Sequence, residues 1–196
     1  MALFTIRPTR LDCAIADFAE DHATPQIEAQ LQGVTYAADE HVLFAVSLGL
    51  WLLSRGMSTR QRRAASYLAL NVAVSALLPH ALKALVDQER PDRRVHGRRQ
   101  GIPVSGKAYD AFPSGHAVHV AAVASAISRY FPRWKRFAWT LGGGVAITRI
   151  LLLAHWTTDV LAGLALGAAL ERGLWACWPF LSNLRATARL THTTAG

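Results

Sequence analysis

The chain has 196 residues, 52% of them hydrophobic and only 17% charged, well under the roughly 25% charged residues of soluble globular proteins. That length accommodates one domain rather than two, and the composition argues against a soluble globular enzyme and for a membrane. A formal net charge of +8, with a pI near 10.3, suits nucleic acid, an anionic membrane surface or a phosphorylated substrate.

Residues 1–40 read as an amphipathic, acidic segment. Leu11, Ile15, Phe18 and Ala19 recur at helical spacing, and Ile27, Leu31 and Val34 repeat the pattern after Pro25. Asp12, Asp17, Glu20, Asp21, Glu28, Asp39 and Glu40 fall within residues 1–41, against two basic residues, Arg7 and Arg10. Too short and too charged to span, the segment is expected along a membrane surface or packed as a cap on the domain. No secretory signal is visible before the apolar stretch near His41, which weighs against a secreted soluble enzyme.

Five apolar stretches follow, at about 41–54, 64–86, 117–131, 137–154 and 157–181. A straight span takes about 20 apolar residues, so the first and third are short. Gly142, Gly143 and Gly144 in the fourth stretch would let helix backbones approach closely, as would Gly163 and Gly167, spaced as GxxxG, in the fifth. Glu171 and Arg172 interrupt that last stretch. The expected fold class is all-α. It is a polytopic membrane helical bundle of about five transmembrane helices over 41–181, with the 1–40 segment before it and a polar tail, 182–196, after it. Cys13 and Cys177 are isolated and offer neither a disulfide framework nor a zinc spacing.

Arg55, Arg60, Arg62 and Arg63 separate the first two stretches, Arg133, Lys135 and Arg136 the third and fourth, and Arg185 and Arg189 follow the fifth. The positive-inside rule makes these places cytoplasmic. Alternation then puts the N-terminal segment, the 87–116 loop and the 154–157 turn on the opposite face. That loop carries Arg90, Arg93, Arg94, Arg98, Arg99 and Lys107, against the rule, unless its charge binds phosphate.

Three motifs sit at the outer ends of the stretches. Lys83 and Arg90 are seven residues apart, close to two helical turns, and would share a helix face before Pro91 ends the helix. Pro113-Ser114-Gly115-His116 opens the third stretch. Ser114 is placed to cap a helix and Gly115 to admit a ligand, while free N–H groups and the helix dipole favour phosphate beside His116. Arg149 ends an apolar run, where a cation needs an anion. His155 and Asp159 are four apart, so on a helix the carboxylate would hold one ring nitrogen and leave the other as a nucleophile.

Lys83 to Pro91, then Pro113 to His116, then Thr148-Arg149 through His155 to Asp159 resembles, in order and internal spacing, the three-part signature of the type-2 phosphatidic acid phosphatase superfamily. The departure is Thr148, where that family usually has Ser. The resemblance implies a bundle with an acid-phosphatase-like core and a two-step reaction. His155 would attack phosphorus with Asp159 orienting it, and His116 would protonate the leaving oxygen and then activate water. Lys83, Arg90, Ser114, the Gly115 backbone and Arg149 would bind the phosphoryl oxygens. Three fixed cations offset a phosphate dianion, so no metal and no cofactor are expected.

The partners expected are a lipid phosphate substrate (phosphatidic acid, phosphatidylglycerophosphate or a polyprenyl diphosphate) and membrane lipids, with no obligate protein partner. The basic residues lie between apolar stretches and no nucleic-acid motif is present, so no nucleic acid is expected. The expected location is a bacterial inner membrane with the site on the periplasmic face. Two rivals are a metal-dependent hydrolase built on His116, His119, His155 and Asp159, and a non-enzymatic protein that holds anionic lipid headgroups.

Overall fold

The structure, a computed structural model, describes residues 3–36, 38–94 and 107–193, with side chains through 180 apart from that of Arg94. Arg98 and Arg99 lie outside the described residues, as do the side chains of Arg94, Arg185 and Arg189.

The architecture is helical. A short strand β1, Phe4–Thr5, precedes helices α1 (Arg10–Asp21), α2 (Pro25–Tyr36), α3 (Glu40–Leu53) and α4 (Thr59–Lys83). Strand β2 (Val86–Asp87) and the short helix α5 (Pro91–Arg94) come next, then α6 (Gly115–Tyr130), α7 (Lys135–Leu151) and α8 (Thr157–Thr193). Local chemistry sets several starts. Thr9 with Asp12 and Ser58 with Gln61 form reciprocal capping boxes for α1 and α4, and Asp39 caps α3 by accepting from the His41 N–H at 2.9 Å.

Helix α6 is the centre, packed against α8, α7 and α4. Its small residues make this possible: Ala117, Ala121, Ala122, Ala124 and Ala126 are all buried. Helix α8 approaches through its GxxxG pair. A Cβ at Gly163 would lie 2.7 Å from the Ser114 carbonyl oxygen, and one at Gly167 would overlap the Val118 carbonyl oxygen. The side chains on the outer surface are large and apolar, among them Phe44, Leu48, Leu52, Leu77, Leu141, Ile147 and Leu161.

Three stretches are long and apolar enough to cross a membrane among the described residues: Pro25–Gly56, Thr59–Lys83 and Thr157–Phe180, with mean hydropathy of 1.2, 1.4 and 1.4. No more than 28% of each apolar window is buried inside the protein, so their apolar faces look outward, as lipid contact requires. The expectation of about five spans meets five bundle helices, α3, α4, α6, α7 and α8. However, α3, α6 and α7 have 14, 16 and 17 residues and fall short of a full span by length, so among the five only α4 and α8 reach it within one helix.

Two boundaries differ from the sequence reading. Lys83 and Arg90 do not share a helix, because α4 stops at Lys83 and the chain turns extended. Leu85 and Asp87 offer their carbonyls to the N–H groups of Leu3 and Ile6 at 2.9 and 3.0 Å, so the N-terminal strand claims backbone that would otherwise continue the helix. Pro91 then opens α5 rather than ending α4. At the other end, α8 runs on to Thr193, so most of the 182–196 tail continues the last helix.

Candidate active site

The signature residues come from five places in the chain, Arg90 from the extended stretch after β2 among them, and meet at one end of the bundle. Lys83 ends α4, Ser114 to His116 open α6, Arg149 lies in the last turn of α7, and His155 and Asp159 flank the start of α8. After β2 the extended chain 88–90 is laced to 108–111. The N–H groups of Gln88 and Arg90 donate to the carbonyls of Tyr109 and Ala108 at 3.1 Å each, and the Ala111 N–H donates to Gln88 O at 3.1 Å.

The turn between α7 and α8 holds His155. The Arg149 carbonyl accepts from the N–H groups of both Ala154 and His155 at 3.1 Å. Leu153 adopts φ 51°, a left-handed conformation that costs about 1–2 kcal/mol for a residue with a Cβ. Its complete burial, beside Trp156, Ala16 and Ala111, offsets that cost. Trp156 is itself anchored, its indole N–H donating to Glu89 O at 2.6 Å.

His155 is buried, and its Nδ1 lies 2.7 Å from the Ala111 carbonyl oxygen. A carbonyl only accepts, so the proton sits on Nδ1 and Nε2 keeps its lone pair. Burial, followed by the charges of Arg90, Arg149 and Lys83, holds the imidazole well below the ordinary histidine range, so the ring is neutral.

The expected His155–Asp159 pair is not formed as a hydrogen bond. Nδ1 and the Asp159 Oδ2 are 3.9 Å apart, too far for one. The i,i+4 argument fails because His155 precedes the helix, which begins at Thr157. Asp159 instead takes the Trp156 N–H at 2.9 Å, and its backbone carbonyl takes the Ser114 N–H at 3.2 Å. The Asp159 carboxylate therefore braces the turn and its backbone carbonyl the α6 entrance, while the Ala111 carbonyl sets the histidine tautomer.

The cations differ in their commitments. Arg90 is nearly fully buried and already engaged: Nε donates to Asp110 Oδ1 at 2.8 Å and to Lys107 O at 3.1 Å, and Nη1 to Ala154 O at 2.9 Å. It clamps the 107–111 segment to the His155 turn. Lys83 lies 3.8 Å from Asp110. Arg149 makes no ion pair among the described residues. Its Nη1 donates to Thr35 Oγ1 at 3.3 Å and its buried Nε has no hydrogen-bond partner there.

Helix α6 contributes donors. Ser114 stands at the N-cap, but its buried Oγ makes no cap bond and has no partner among the described residues, contrary to the capping role expected for it. The first-turn N–H groups are thus left for another acceptor. A Cβ on Gly115 would meet Pro79 at an ordinary 3.7 Å, so the fold alone does not require glycine there. Arg149, His119, Asp39 and Lys83 are the charged or titratable neighbours acting on His116.

Against this geometry stand the comparisons. The sequence model of the PAP2 superfamily matches residues 64–182, more than half the chain. The chain belongs to the PAP2 superfamily. A lipid A 1-phosphatase of Rhizobium johnstonii is 37% identical over 105 residues, 53% of this chain and 43% of that protein. A second, from Rhizobium etli, covers 52% and 45%. The chain thus spans less than half the length of these rhizobial relatives. Phosphatidylglycerophosphatase B of Bacillus subtilis is 26% identical over 86% of this chain and 84% of its own.

Among solved structures, LpxE of Aquifex aeolicus superposes with a TM-score of 0.64 at 17% identity, over 85% of this chain and 96% of that one. A transmembrane PAP2-type phosphatidylglycerolphosphate phosphatase of Bacillus subtilis gives 0.61 at 22%, over 85% and 83%. These two show the fold. The long apolar helices make this PAP2 chain an integral membrane protein.

Sequence reasoning missed three site-end residues. Asp110 is the carboxylate between Lys83 and Arg90; its signal was the single acid in the sequence between Arg93 and His116. Thr35 reaches both Arg149 and Thr148, the latter at 3.0 Å, from a segment that had looked merely amphipathic. Asp12 is buried and takes the Thr158 N–H and hydroxyl at 2.9 Å each, with the Thr9 N–H and hydroxyl at 2.9 and 2.8 Å. Burial pushes its carboxyl upward, but these bonds prevail and hold it below the ordinary value. Helix α1 is thus pinned to the start of α8, which favours the capping role over a free surface helix. The rival metal set does not converge: among the described residues no three His, Cys, Asp or Glu side chains are arranged to hold an ion.

Proposed function

We propose that this PAP2 protein is a lipid phosphatase that works through a phosphohistidine. The observation that carries the reading is the fixed neutral tautomer of His155, with Lys83, Arg90 and Arg149 acting on it. In this mechanism the Nε2 lone pair attacks phosphorus and the N–P bond forms as the bond to the leaving oxygen breaks. His116 gives its proton to that oxygen. It then takes a proton from water, whose oxygen displaces the histidine and frees inorganic phosphate. Arg149, Lys83, Ser114 and the first N–H groups of α6 neutralise the three phosphoryl oxygens, with Arg90 supplying charge from behind. Asp159 and Asp110 position the turn and the cations rather than reacting.

A lipid substrate is supported by where the site sits and by what lies beside it. An apolar cavity of about 500 Å³ between α2, α3, α6 and α7 runs from Val34, Ala38 and Val145, close in sequence to Thr35 and Arg149, down to Ile127, Trp134 and Phe137. The substrate class is a lipid phosphomonoester or diphosphate: phosphatidic acid, phosphatidylglycerophosphate or a polyprenyl diphosphate, with a lipid A 1-phosphate added by the rhizobial relatives. Basic residues at the α3–α4 and α6–α7 turns favour a bacterial inner membrane with the site facing the periplasm.

The test is a phosphate-release panel over those four lipids, in detergent with and without chelator and on sealed spheroplasts. We expect release from at least one lipid, unchanged by chelator and available to substrate added outside. Loss of release in chelator would return the reaction to a metal enzyme. Binding without release from any lipid would make the protein a lipid-binding one.

A further inference from the structure

The end of the bundle remote from His155 carries a second, unassigned cavity. It has a volume of about 450 Å³ and is walled by Arg60 and Arg63 from α4, Tyr130 from α6, and Trp175 and Trp178 from α8. Helix α4 runs from Thr59 here to Lys83 at the catalytic end, 25 residues and roughly 36 Å at 1.5 Å each. This cavity and the catalytic site therefore lie at opposite ends of α4.

The walls are rigidly built. Glu171, buried in α8, takes Arg129 through two bonds of 2.6 and 2.8 Å and the Tyr67 hydroxyl at 2.9 Å. The Arg129 guanidinium lies 4.6 Å over the Trp175 ring. Tyr67 meets Trp175 and Trp178 edge-on at 5.4 and 5.1 Å, and Tyr130 meets Trp175 at 5.7 Å. Glu171 is thus neutralised internally and leaves the cavity's charge to the other cations. Arg60 is steadied by the Tyr130 carbonyl at 3.2 Å. Arg63 makes no hydrogen bond or ion pair among the described residues.

We propose that this cavity binds the headgroup of an anionic phospholipid, its phosphodiester held between Arg60 and Arg63 with Trp175 and Trp178 alongside. Arg60 and Arg63 are exposed and have no carboxylate partner among the described residues, so both are free to take an anion, and a planar guanidinium fits phosphate oxygens in a bidentate manner. The depth selects a lipid over a free ion. Arg60 and Arg63 start one crossing stretch, and Trp175 and Trp178 lie near the end of another, Thr157–Phe180, which is headgroup level. A headgroup there ties the first turns of α4 to α8 and α6, a lipid link between helices that also carry Lys83, His116 and Asp159 at their other ends.

Native mass spectrometry of the full chain, exchanged into micelles with phosphatidylglycerol or phosphatidylcholine, tests this. Phosphatidylglycerol is a diester and leaves the catalytic site out of the reading. The unmodified protein is expected to retain one phosphatidylglycerol at least ten times more than phosphatidylcholine, and His155→Ala to retain it equally. Millimolar inorganic phosphate should not displace it. The double variant Arg60→Gln with Arg63→Gln is expected to lose the retained lipid about tenfold, and Arg60→Lys with Arg63→Lys, which keeps the charge without the bidentate fork, to fall between it and the unmodified protein. Equal retention of the two lipids by the unmodified protein overturns the proposal without any variant. So does a glutamine pair that binds as well as wild type, or displacement by free phosphate. None of these results bears on phosphohistidine chemistry, which a loss of hydrolysis in His155→Ala tests separately.

Discussion

An imidazole is a nucleophile only while one nitrogen keeps its lone pair, and at His155 this is secured twice. The Ala111 carbonyl fixes the proton on Nδ1, and burial among cations keeps a second proton away. The pH consequence follows in sign. With the folded value depressed, activity is retained as pH falls through the ordinary histidine range near 6.5 and is lost only below it. Lys83→Gln removes one repelling charge, so the acid limb of kcat/KM should move to higher pH on the same substrate while its plateau falls. A limb that stays put or moves down would contradict this electrostatic reading. Asp12 belongs to the same scale. Asp12→Ala leaves the Thr158 N–H and hydroxyl without their acceptor, and hydrogen bonds to a charged group are worth about 1.5–3 kcal/mol each. A loss of roughly 2–4 kcal/mol in reversible SDS unfolding is expected, with a smaller loss for Asp12→Asn.

Among the helices, backbone proximity decides the packing of α8 on α6. Gly163 and Gly167 face Ser114, Ala117, Val118 and Ala121 so closely that a methyl group displaces backbone rather than a flexible side chain. Gly167→Ala should cost roughly 1–3 kcal/mol in the same unfolding measurement, whereas Gly143→Ala and Gly144→Ala, which face open space, should not. The sequence showed the five helical stretches, the GxxxG seam and the ends of the signature, because hydropathy and small-residue spacing are local signals. It misplaced Arg90 because nothing local announces that Leu3 to Ile6 will pair with Leu85 to Asp87. It expected a direct hydrogen bond from Asp159 to His155, where the atoms stand 3.9 Å apart, because helical spacing says nothing about whether His155 lies inside the helix. Asp12, Thr35 and Asp110 stayed hidden for a similar reason: each acts across a long sequence gap, up to 146 residues for Asp12 to Thr158.

Over the whole molecule, charge is sorted by end. The site end gathers Lys83, Arg90 and Arg149 around His155, and the remote end sets Arg60 and Arg63 beside the Arg129–Glu171 pair, whose buried carboxylate is neutralised internally. Between them lies an apolar belt whose exposed side chains face lipid. Membership of the PAP2 superfamily accounts for the core from 64 to 182, yet α1 and α2 lie outside that match and close on the same site through Asp12 and Thr35. The central claim is that His155 carries the phosphoryl group. Rapid acid-free quenching of the protein with a radiolabelled lipid phosphate, followed by peptide mapping, tests it most directly. We predict a base-stable, acid-labile label on the peptide containing His155, present in wild type and absent in His155→Ala together with turnover. Turnover without any labelled protein, at a rate that His155→Ala leaves unchanged, would contradict it.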